Sequence, residues 1–145
     1  MESFSIIWYL FLLVSVQLLV RKAGATITWT KPTPPHTQKD NKIRTTTKGF
    51  KSSVSEIQLE WQVTVSPGEL MGVSWLINGD VIGLKQPDGK VTVSPKYQTE
   101  FSIISSDQAT LVAHNVTAAD GRTFNCEVQL TDLSRWNDKI KVVIY

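Results

Sequence analysis

Large apolar residues alternate with polar ones over short stretches of the chain. The clearest stretch is residues 57–65, where apolar residues occupy the odd positions and polar residues the even positions. A period of two gives a β-strand one buried face and one solvated face. Similar stretches recur about every ten residues between turn residues, and helical periodicity is absent from this region. The pattern predicts an all-β fold, either an antiparallel sandwich or a barrel.

Turn-forming pairs mark the ends of the predicted strands. Asn78-Gly79 and Asp88-Gly89 tolerate the positive φ angles of tight hairpin turns, and Pro67-Gly68 ends the strand at 57–65. We predict further strands at residues 73–77, 81–84 (a short edge strand), 91–93, 97–104, 109–113, 123–130 and 139–145.

Residues 32–53 differ from the rest because only Ile43 and Phe50 are large and apolar there. Compact domains seldom contain a structureless connection of this length. Either residues 42–47 form an edge strand, or the segment is a mobile loop. Five cations in it form either a solvated surface or a contact for an anionic partner such as a sulfated glycan: Lys39, Lys42, Arg44, Lys48 and Lys51.

An apolar run covers residues 6–20 and is followed by Ala23-Gly24-Ala25. The run is short for a membrane span, which needs roughly 20 helical residues. Its length and the small residues after it are typical of a secretory signal. We predict a signal peptide over residues 1–25, cleaved after Ala25, although Glu2 is the only charge before the run. The alternatives are an uncleaved signal anchor and a buried helix.

Removal of residues 1–25 leaves a single domain, residues 26–145, with 13 Lys and Arg and 12 Asp and Glu. Its net charge is +1, so nothing in the charge favours nucleic acid as a partner. Its length is sufficient to bury one sizeable core. The prediction is an extracellular domain, secreted or part of an ectodomain. We expect a membrane association only where the gene continues beyond Tyr145 or the signal is not cleaved.

Residues 109–126 resemble the E strand, EF corner and F strand of the immunoglobulin superfamily. Asp120 lies six residues before Cys126 and Phe124 lies two before it, which are the family's offsets for Asp and an aromatic residue. Residues 59–61 are similar to the B strand, and Trp75 follows at the distance of the C-strand tryptophan. The number of strands between residues 75 and 109 is typical of the variable type. The resemblance also implies an A strand near residues 27–33.

The resemblance places Trp61 where the family has its B-strand cysteine, and Cys126 is the only cysteine. We therefore expect no intersheet disulfide. A cross-link over this span contributes about 4 kcal/mol, and burying an indole of roughly 200 Å² contributes a similar amount. Cys126 is predicted to be a buried, inert thiol, with an intermolecular disulfide as the alternative. The predicted central core consists of Trp61, Trp75, Leu111, Phe124 and Cys126.

Asn115-Val116-Thr117 is an N-glycosylation acceptor at the predicted EF corner. The sequence contains no phosphate-binding glycine loop, metal-spaced histidine pair or nucleophile elbow. We therefore expect no catalytic residue, no cofactor and no metal, and hence no enzyme. Glycosylation of Asn115 would make the mature chain a glycoprotein with one shielded end.

A sandwich of this kind usually acts by presenting faces and loops to a partner. The resemblance implies contacts through the C, C′, F and G strands. The predicted contact residues are Ile82, Leu84 and Lys85 on C′, and the FG loop at residues 131–136, above all Arg135 and Trp136. Trp136 is equally consistent with a framework role. The expected function is cell-surface or secreted recognition, adhesion or immune-type protein binding, including homophilic binding. The alternative is a non-binding spacer domain of a longer receptor ectodomain.

Overall fold

A computed structural model describes residues 26–145, and the predicted signal peptide lies outside them. They form a β-sandwich with one 3₁₀ turn (Pro95–Tyr97) and one short helix, α1 (Val116–Ala119). The strands are β1 (Thr26–Lys31), β2 (His36–Gln38), β3 (Thr45–Phe50), β4 (Ile57–Ser66), β5 (Leu70–Ile77), β6 (Asp80–Lys85), β7 (Val91–Val93), β8 (Phe101–Ile104), β9 (Ala109–Ala113), β10 (Thr123–Leu130) and β11 (Arg135–Ile144).

The strands divide between two sheets. The first sheet has the order β2-β1-β4-β9-β8, and the second has the order β3-β11-β10-β5-β6-β7. Neighbouring strands are antiparallel except for β3, which runs parallel to β11. The prediction of an all-β sandwich is confirmed.

The segment at residues 32–53 contains two short strands. β2 pairs with β1, and β3 forms the edge of the second sheet, so the edge-strand alternative is correct, with a start three residues later than predicted. Trp29 Nε1 donates to Gln38 Oε1 at 3.0 Å, and Gln38 Nε2 donates to the Lys42 carbonyl at 3.2 Å. These buried hydrogen bonds hold the segment against the sandwich.

The main differences from the predicted strands are the start of β8, the start of β11 and the position of β6 in its sheet. The strand predicted at 97–104 begins at Phe101, because Pro95 lacks an N–H and starts a 3₁₀ turn instead. The strand predicted at 139–145 begins at Arg135, since Trp136 pairs with Val128 across the hairpin. Residues 81–84 are not at an edge, because β7 pairs outside β6.

The core lies between the two sheets. Trp61, Trp75, Leu111, Phe124 and Cys126 all have no solvent exposure, as does Trp29 of β1. Cys126 is an unpaired thiol, and burial raises its pKa well above the usual value, with the carboxylates of Asp138 and Glu127 adding to the shift. A thiol held neutral and enclosed in this way behaves as a small apolar side chain.

A buried ion pair joins β3 to β11. Asp138 is fully buried, and Arg44 Nε and Nη2 donate to its two carboxylate oxygens at 2.8 and 3.1 Å. Arg44 also donates to the Pro34 carbonyl, and its own carbonyl accepts from Lys139 N at 2.9 Å. The expectation of a solvated surface is therefore wrong for Arg44, because Asp138 draws its guanidinium inward.

Burial raises the pKa of Asp138, while the hydrogen bonds and charge of Arg44 oppose that shift, with smaller contributions from Trp61 and His36. The Trp61 indole lies near the carboxylate, but its Nε1 makes no hydrogen bond of normal geometry. Arg44 is thus the principal counter-charge of Asp138.

Candidate functional site

The outward side of the second sheet contains a shallow concavity of about 430 Å³. Strands β5, β6 and β10 and the first residue of β11 supply most of its lining, because their alternate residues point away from the core. We call this surface the outer face; its lining includes Met71, Gly72, Ser74, Leu76, Val81, Leu84, Pro87, Glu127, Gln129 and Arg135.

The β5–β6 side of the outer face carries a group of apolar side chains, called the apolar centre below. Met71, Val81 and Leu84 are 38%, 39% and 37% exposed, and Leu76 is half-buried beside them. Burying such side chains is favourable by about 25 cal/mol for each Å² of apolar surface removed from water. A grouped set of them on a sheet face is typical of a protein contact surface.

Charged side chains border this apolar centre. Arg135 Nη1 lies 3.7 Å from Glu127 Oε1, and the two side chains are 64% and 25% exposed. An ion pair this open contributes little to stability. Both groups are therefore available to pair with a partner's charges at the rim, where charges mainly govern specificity and association rate.

The structure separates the five predicted contact residues. Leu84 and Arg135 lie on the outer face. Ile82 is fully buried, so the prediction that it contacts a partner is wrong. Its side chain points inward although that of Leu84 points outward, because an irregularity in the pairing of β6 with β5 interrupts the alternation. Lys85 lines the concavity, but its Nζ donates to the carbonyls of Ser105 and Asp107 at 3.1 and 2.6 Å.

Trp136 has a framework position. It lies in β11 and not in the loop, packs half-buried against the core, and donates from Nε1 to Ser134 Oγ at 3.0 Å. The indole therefore supports the loop between β10 and β11. Met71 and Leu76 were not predicted as contact residues, whereas Leu133 lies within the FG loop predicted at residues 131–136.

The loops at the end of the sandwich where β5 begins and β10 ends are short and are held by backbone hydrogen bonds. Residues 86–90 close through Gln86 N to the Lys90 carbonyl at 2.9 Å, and Thr131 N donates to the Glu69 carbonyl at 3.0 Å. Such turns offer little adaptable surface. The surface at this end therefore consists of the outer face and of the few side chains that project beside it.

Leu133 projects from the turn between β10 and β11. It is 67% exposed and has a φ of 69°, a left-handed conformation in which a bulky residue is a true outlier. Leu133 N donates to the Leu130 carbonyl at 2.9 Å, and Leu130 N donates to the Ser134 carbonyl at 2.9 Å. The turn thus fixes a leucine where glycine or asparagine is normally found.

Leu133→Gly is expected to stabilise the isolated domain by about 1 kcal/mol. The left-handed backbone costs a residue with a Cβ about 1–2 kcal/mol, and the greater freedom of glycine in the unfolded chain cancels part of the gain. Denaturant unfolding of both proteins measures the difference. Asn78→Gly is the matched control: Asn78 has a φ of 50° but tolerates it, so little change is expected. A destabilised Leu133→Gly variant would contradict this account of the turn.

Asn115 is exposed and caps the first turn of α1. Its Oδ1 accepts from Thr117 Oγ1 at 2.7 Å and from Ala118 N at 3.4 Å. Glycan attachment uses the other side-chain atom, Nδ2. Asp120 Oδ1 accepts from Ile144 N at 2.9 Å, and Gly121 N donates to the Val142 carbonyl at 2.9 Å, so the corner around Asn115 is held against β11.

A second, polar concavity of about 290 Å³ includes Asp80, Lys96, Tyr97 and Arg122. Tyr97 Oη and Lys96 Nζ both donate to Asp80 Oδ2, at 2.6 and 3.0 Å, and these hydrogen bonds lower the pKa of Asp80. Arg122 pairs with Glu100 at 3.5 Å. The exposed residues that line this concavity are all polar or charged, so it lacks an apolar surface for a protein partner, and the outer face is the stronger candidate site.

Within residues 26–145 no group of three His, Cys, Asp or Glu side chains is placed to hold a metal ion. Over the same residues, no helix has the length and apolar character needed to cross a bilayer.

The chain is similar to known proteins in its structure, whereas its sequence matches none of those compared. Neither a protein-family profile nor a curated protein matches its sequence. The first immunoglobulin-like domain of human CD48 antigen superposes with a TM-score of 0.55 at 14% identity, covering 73% of this chain and 86% of that domain. Murine CEACAM1b gives 0.51 at 13% identity, over 83% of this chain and 53% of that protein.

Murine CRIg superposes with a TM-score of 0.50 at 17% identity, covering 70% of this chain and 92% of that protein. These similarities lie in the backbone and not in the sequence. The chain has the fold of a variable-type immunoglobulin domain.

Proposed function

We propose that this chain is an extracellular recognition domain that binds another protein through the outer face of its second sheet. The observation that carries the proposal is the exposed apolar centre formed by Met71, Val81 and Leu84 beside Leu76. A charged rim borders it at Glu127 and Arg135. An apolar centre with a polar rim is the usual anatomy of a protein interface.

The shape of the outer face favours a protein over a small ligand. Small-molecule sites are enclosed clefts that bury most of the ligand, whereas this concavity is shallow and lies on a sheet. Its borders are the tight turns at residues 66–69 and 86–90, which present a preformed surface. Binding to such a surface needs little ordering of the domain, which favours affinity.

The proposal includes secretion directed by residues 1–25. The apolar run at 6–20 and the small residues Ala23-Gly24-Ala25 support it. Expression in a secretory cell line, followed by amino-terminal sequencing of the protein in the medium, is expected to give Thr26 as the first residue. Retention of Met1 on a cell-associated product would instead indicate a signal anchor.

Asn115 is expected to carry an N-linked glycan in the secreted protein. The side chain is exposed in a complete Asn-Val-Thr triplet, and its hydrogen bonds use Oδ1. Digestion with an amidase that removes N-glycans should lower the apparent mass of the native chain but not of Asn115→Gln. An unchanged mass for the native chain would show that the site is not used.

Protein binding is tested with beads that carry the domain. We expect the beads to bind one another or cells that display a ligand, and we expect Leu84→Arg to abolish that binding. Leu84 is 37% exposed within the apolar centre, so arginine there places an unpaired charge in the interface without entering the core. Val54→Arg is the matched control, since Val54 is 41% exposed in the turn that precedes β4, away from the outer face.

The spacer alternative makes the opposite prediction. A domain that only separates other domains would bind neither itself nor a cell-surface ligand, and Leu84→Arg and Val54→Arg would behave alike. Equal binding by the two variants would therefore contradict recognition through the outer face.

A further inference from the structure

Lysines without side-chain partners lie along one edge of the second sheet. β3 is the outermost strand at that edge, and β11 is its neighbour. The lysines on these two strands and in the segments flanking β3 form no ion pair and donate no side-chain hydrogen bond within residues 26–145. We call this group the basic edge; it consists of Lys39, Lys42, Lys48, Lys51, Lys139 and Lys141.

Most cations outside the basic edge are paired. Those on the rest of the surface that pair with a carboxylate are Lys31, Lys96, Arg122 and Arg135. Lys85 donates to two backbone carbonyls. Lys90 has no side-chain partner in the described part of the chain, but it lies between β6 and β7, at the opposite edge of the sheet. Unpaired positive charge is therefore concentrated beside β3 and β11.

Lys139 and Lys141 form a row on β11. They are alternate residues of one strand, so their side chains leave the same side of the sheet, with Cα atoms roughly 7 Å apart. Thr45 and Thr47 of β3 pair with them in register and are exposed. Each threonine hydroxyl can donate and accept a hydrogen bond. Further lysines before and after β3 extend the basic edge past both ends of that strand.

The carboxylates beside the basic edge are already hydrogen-bonded. Asp138 is buried and paired with Arg44, which for that reason is not part of the basic edge. Asp40 Oδ1 accepts from Lys42 N at 2.9 Å, and Asp120 Oδ1 accepts from a backbone N–H of β11 at 2.9 Å. Crowded cations repel one another and create a positive potential that attracts anions. Surfaces without such a role usually mix charges of both signs.

We propose that the basic edge binds a sulfated polysaccharide that lies along β11 and β3. Such a polymer is linear and carries anionic groups at intervals, so it can follow a straight row of cations while its hydroxyl groups bond to Thr45 and Thr47. Lysine is a compact point charge, which suits a sulfate that needs no planar fork. Clusters of basic residues are typical of such contacts. β10 separates β11 from the apolar centre on β5 and β6, so the two surfaces can be occupied independently.

The choice of a polysaccharide over other polyanions rests on the proposed secretion of the chain. Outside the cell the anionic phospholipids are poorly accessible, because the negative surface potential belongs to the cytoplasmic leaflet. Stable attachment to a bilayer also needs an inserted apolar group besides basic residues. A net charge of +1 over residues 26–145 gives the domain no general attraction for nucleic acid.

Binding of the secreted domain to immobilised heparin, a sulfated polysaccharide, tests the proposal. The native chain is expected to bind, and Lys139→Gln/Lys141→Gln is expected to bind at least about tenfold more weakly, since two contacts to the polyanion are lost. Glutamine keeps a polar side chain on the solvent side of β11, and the melting temperature verifies that the variant is folded. Equal affinities of the native chain and the double variant would overturn the proposal.

Lys90→Gln is the matched control for Lys141→Gln. Both lysines are exposed and have no side-chain partner among the described residues, so the two variants lose the same charge at opposite edges of the sheet. Lys141→Gln is expected to weaken binding several-fold, whereas Lys90→Gln should bind like the native chain. An equal loss for the two variants would show that only net charge matters and would overturn the basic edge as a site.

Salt and sulfate removal test the nature of the contact. Affinity for heparin is expected to fall with salt concentration, and the slope of log affinity against log salt should become shallower by about one for each basic-edge lysine replaced. Heparin from which the sulfates have been removed should bind at least about tenfold more weakly than heparin. Equal binding of the two polysaccharides would overturn recognition of sulfate.

The outcomes separate this inference from the proposed function. A domain that does not bind heparin, yet binds another protein in a manner sensitive to Leu84→Arg, overturns the polysaccharide site and leaves the proposed function intact. Binding to phosphatidylserine vesicles or to duplex DNA that is tighter than binding to heparin, and is lost in Lys139→Gln/Lys141→Gln, assigns the basic edge to that polyanion and overturns the proposal. Heparin binding that depends on the basic edge, together with protein binding that is unaffected by Leu84→Arg, would contradict the proposed function alone.

Discussion

Replacing Arg44 by alanine is expected to lower the free energy of unfolding by about 3–5 kcal/mol near neutral pH. The change leaves Asp138, which is fully buried, without the guanidinium that donates to both of its carboxylate oxygens. Protonation of Asp138 would remove the unpaired charge. At pH 7, however, protonating a carboxyl with the ordinary pKa of 3.8 costs about 4 kcal/mol. Denaturant unfolding of both proteins at pH 7 measures the loss.

The free energy of unfolding that Arg44→Ala loses is expected to depend on pH. Because burial raises the pKa of Asp138, the folded protein binds this proton more readily than the unfolded chain, and stability from this group falls as pH rises above 3.8. Without Arg44 the folded pKa rises further, so the decline extends toward neutrality. The difference between native and variant should be smaller at pH 5 than at pH 7 by about 2 kcal/mol.

Asp138→Asn serves as the control for that experiment. It leaves Arg44 charged, but this side chain is 15% exposed and also donates to the Pro34 carbonyl. We expect a loss of about 1–2 kcal/mol with little pH dependence in this range. Equal losses for Arg44→Ala at pH 5 and pH 7 would contradict the assignment of Asp138 as the stranded charge.

Replacing Trp61 by alanine is expected to cost about 3–5 kcal/mol. The indole is fully buried between the sheets, so its removal leaves a cavity that the rigid strands cannot fill. Trp61→Phe, which keeps most of the volume, is the control and should cost distinctly less. Equilibrium unfolding in denaturant provides both values, and equal losses would show that packing volume at residue 61 is unimportant.

Trp61→Cys tests the role of this residue as a substitute for a cross-link. Under reducing conditions we expect a loss like that of alanine. Under oxidising conditions a bridge to Cys126 would recover about 4 kcal/mol. Identical stability in the two conditions would contradict the resemblance that places Trp61 where the family has its B-strand cysteine.

The sequence predicted well those strands in which apolar and polar residues alternate regularly. β4 was predicted from residues 57–65 because its apolar residues all point to the core. Asn78-Gly79 marked the turn between β5 and β6, where both residues have a positive φ angle. β3 was harder to predict, since Thr45–Phe50 lacks an apolar face and is held by pairing with β11 and by Arg44. Such long-range partners leave no local pattern.

The candidate site was less predictable than the fold. Leu84 and Arg135 were predicted, but Ile82 was assigned to the wrong side of β6, where a register irregularity against β5 shifts the alternation. Leu133 was placed in the predicted FG loop, but its backbone conformation was not predicted, because it follows from a turn closed by Leu130 and Ser134. Which apolar residues remain uncovered depends on how the two sheets pack, and residue type does not reveal it.

An arginine scan of both sheet faces tests most directly whether recognition resides on the outer face of the second sheet. Single arginine substitutions would be compared in the bead assay, with melting temperatures to verify folding, at Leu76, Leu84 and Gln129 on the second sheet and at Gln58, Gln62 and Thr64 on the first. The account predicts that binding is lost only with the second-sheet substitutions. Binding lost with the first-sheet substitutions, or unaffected by all six, would contradict it.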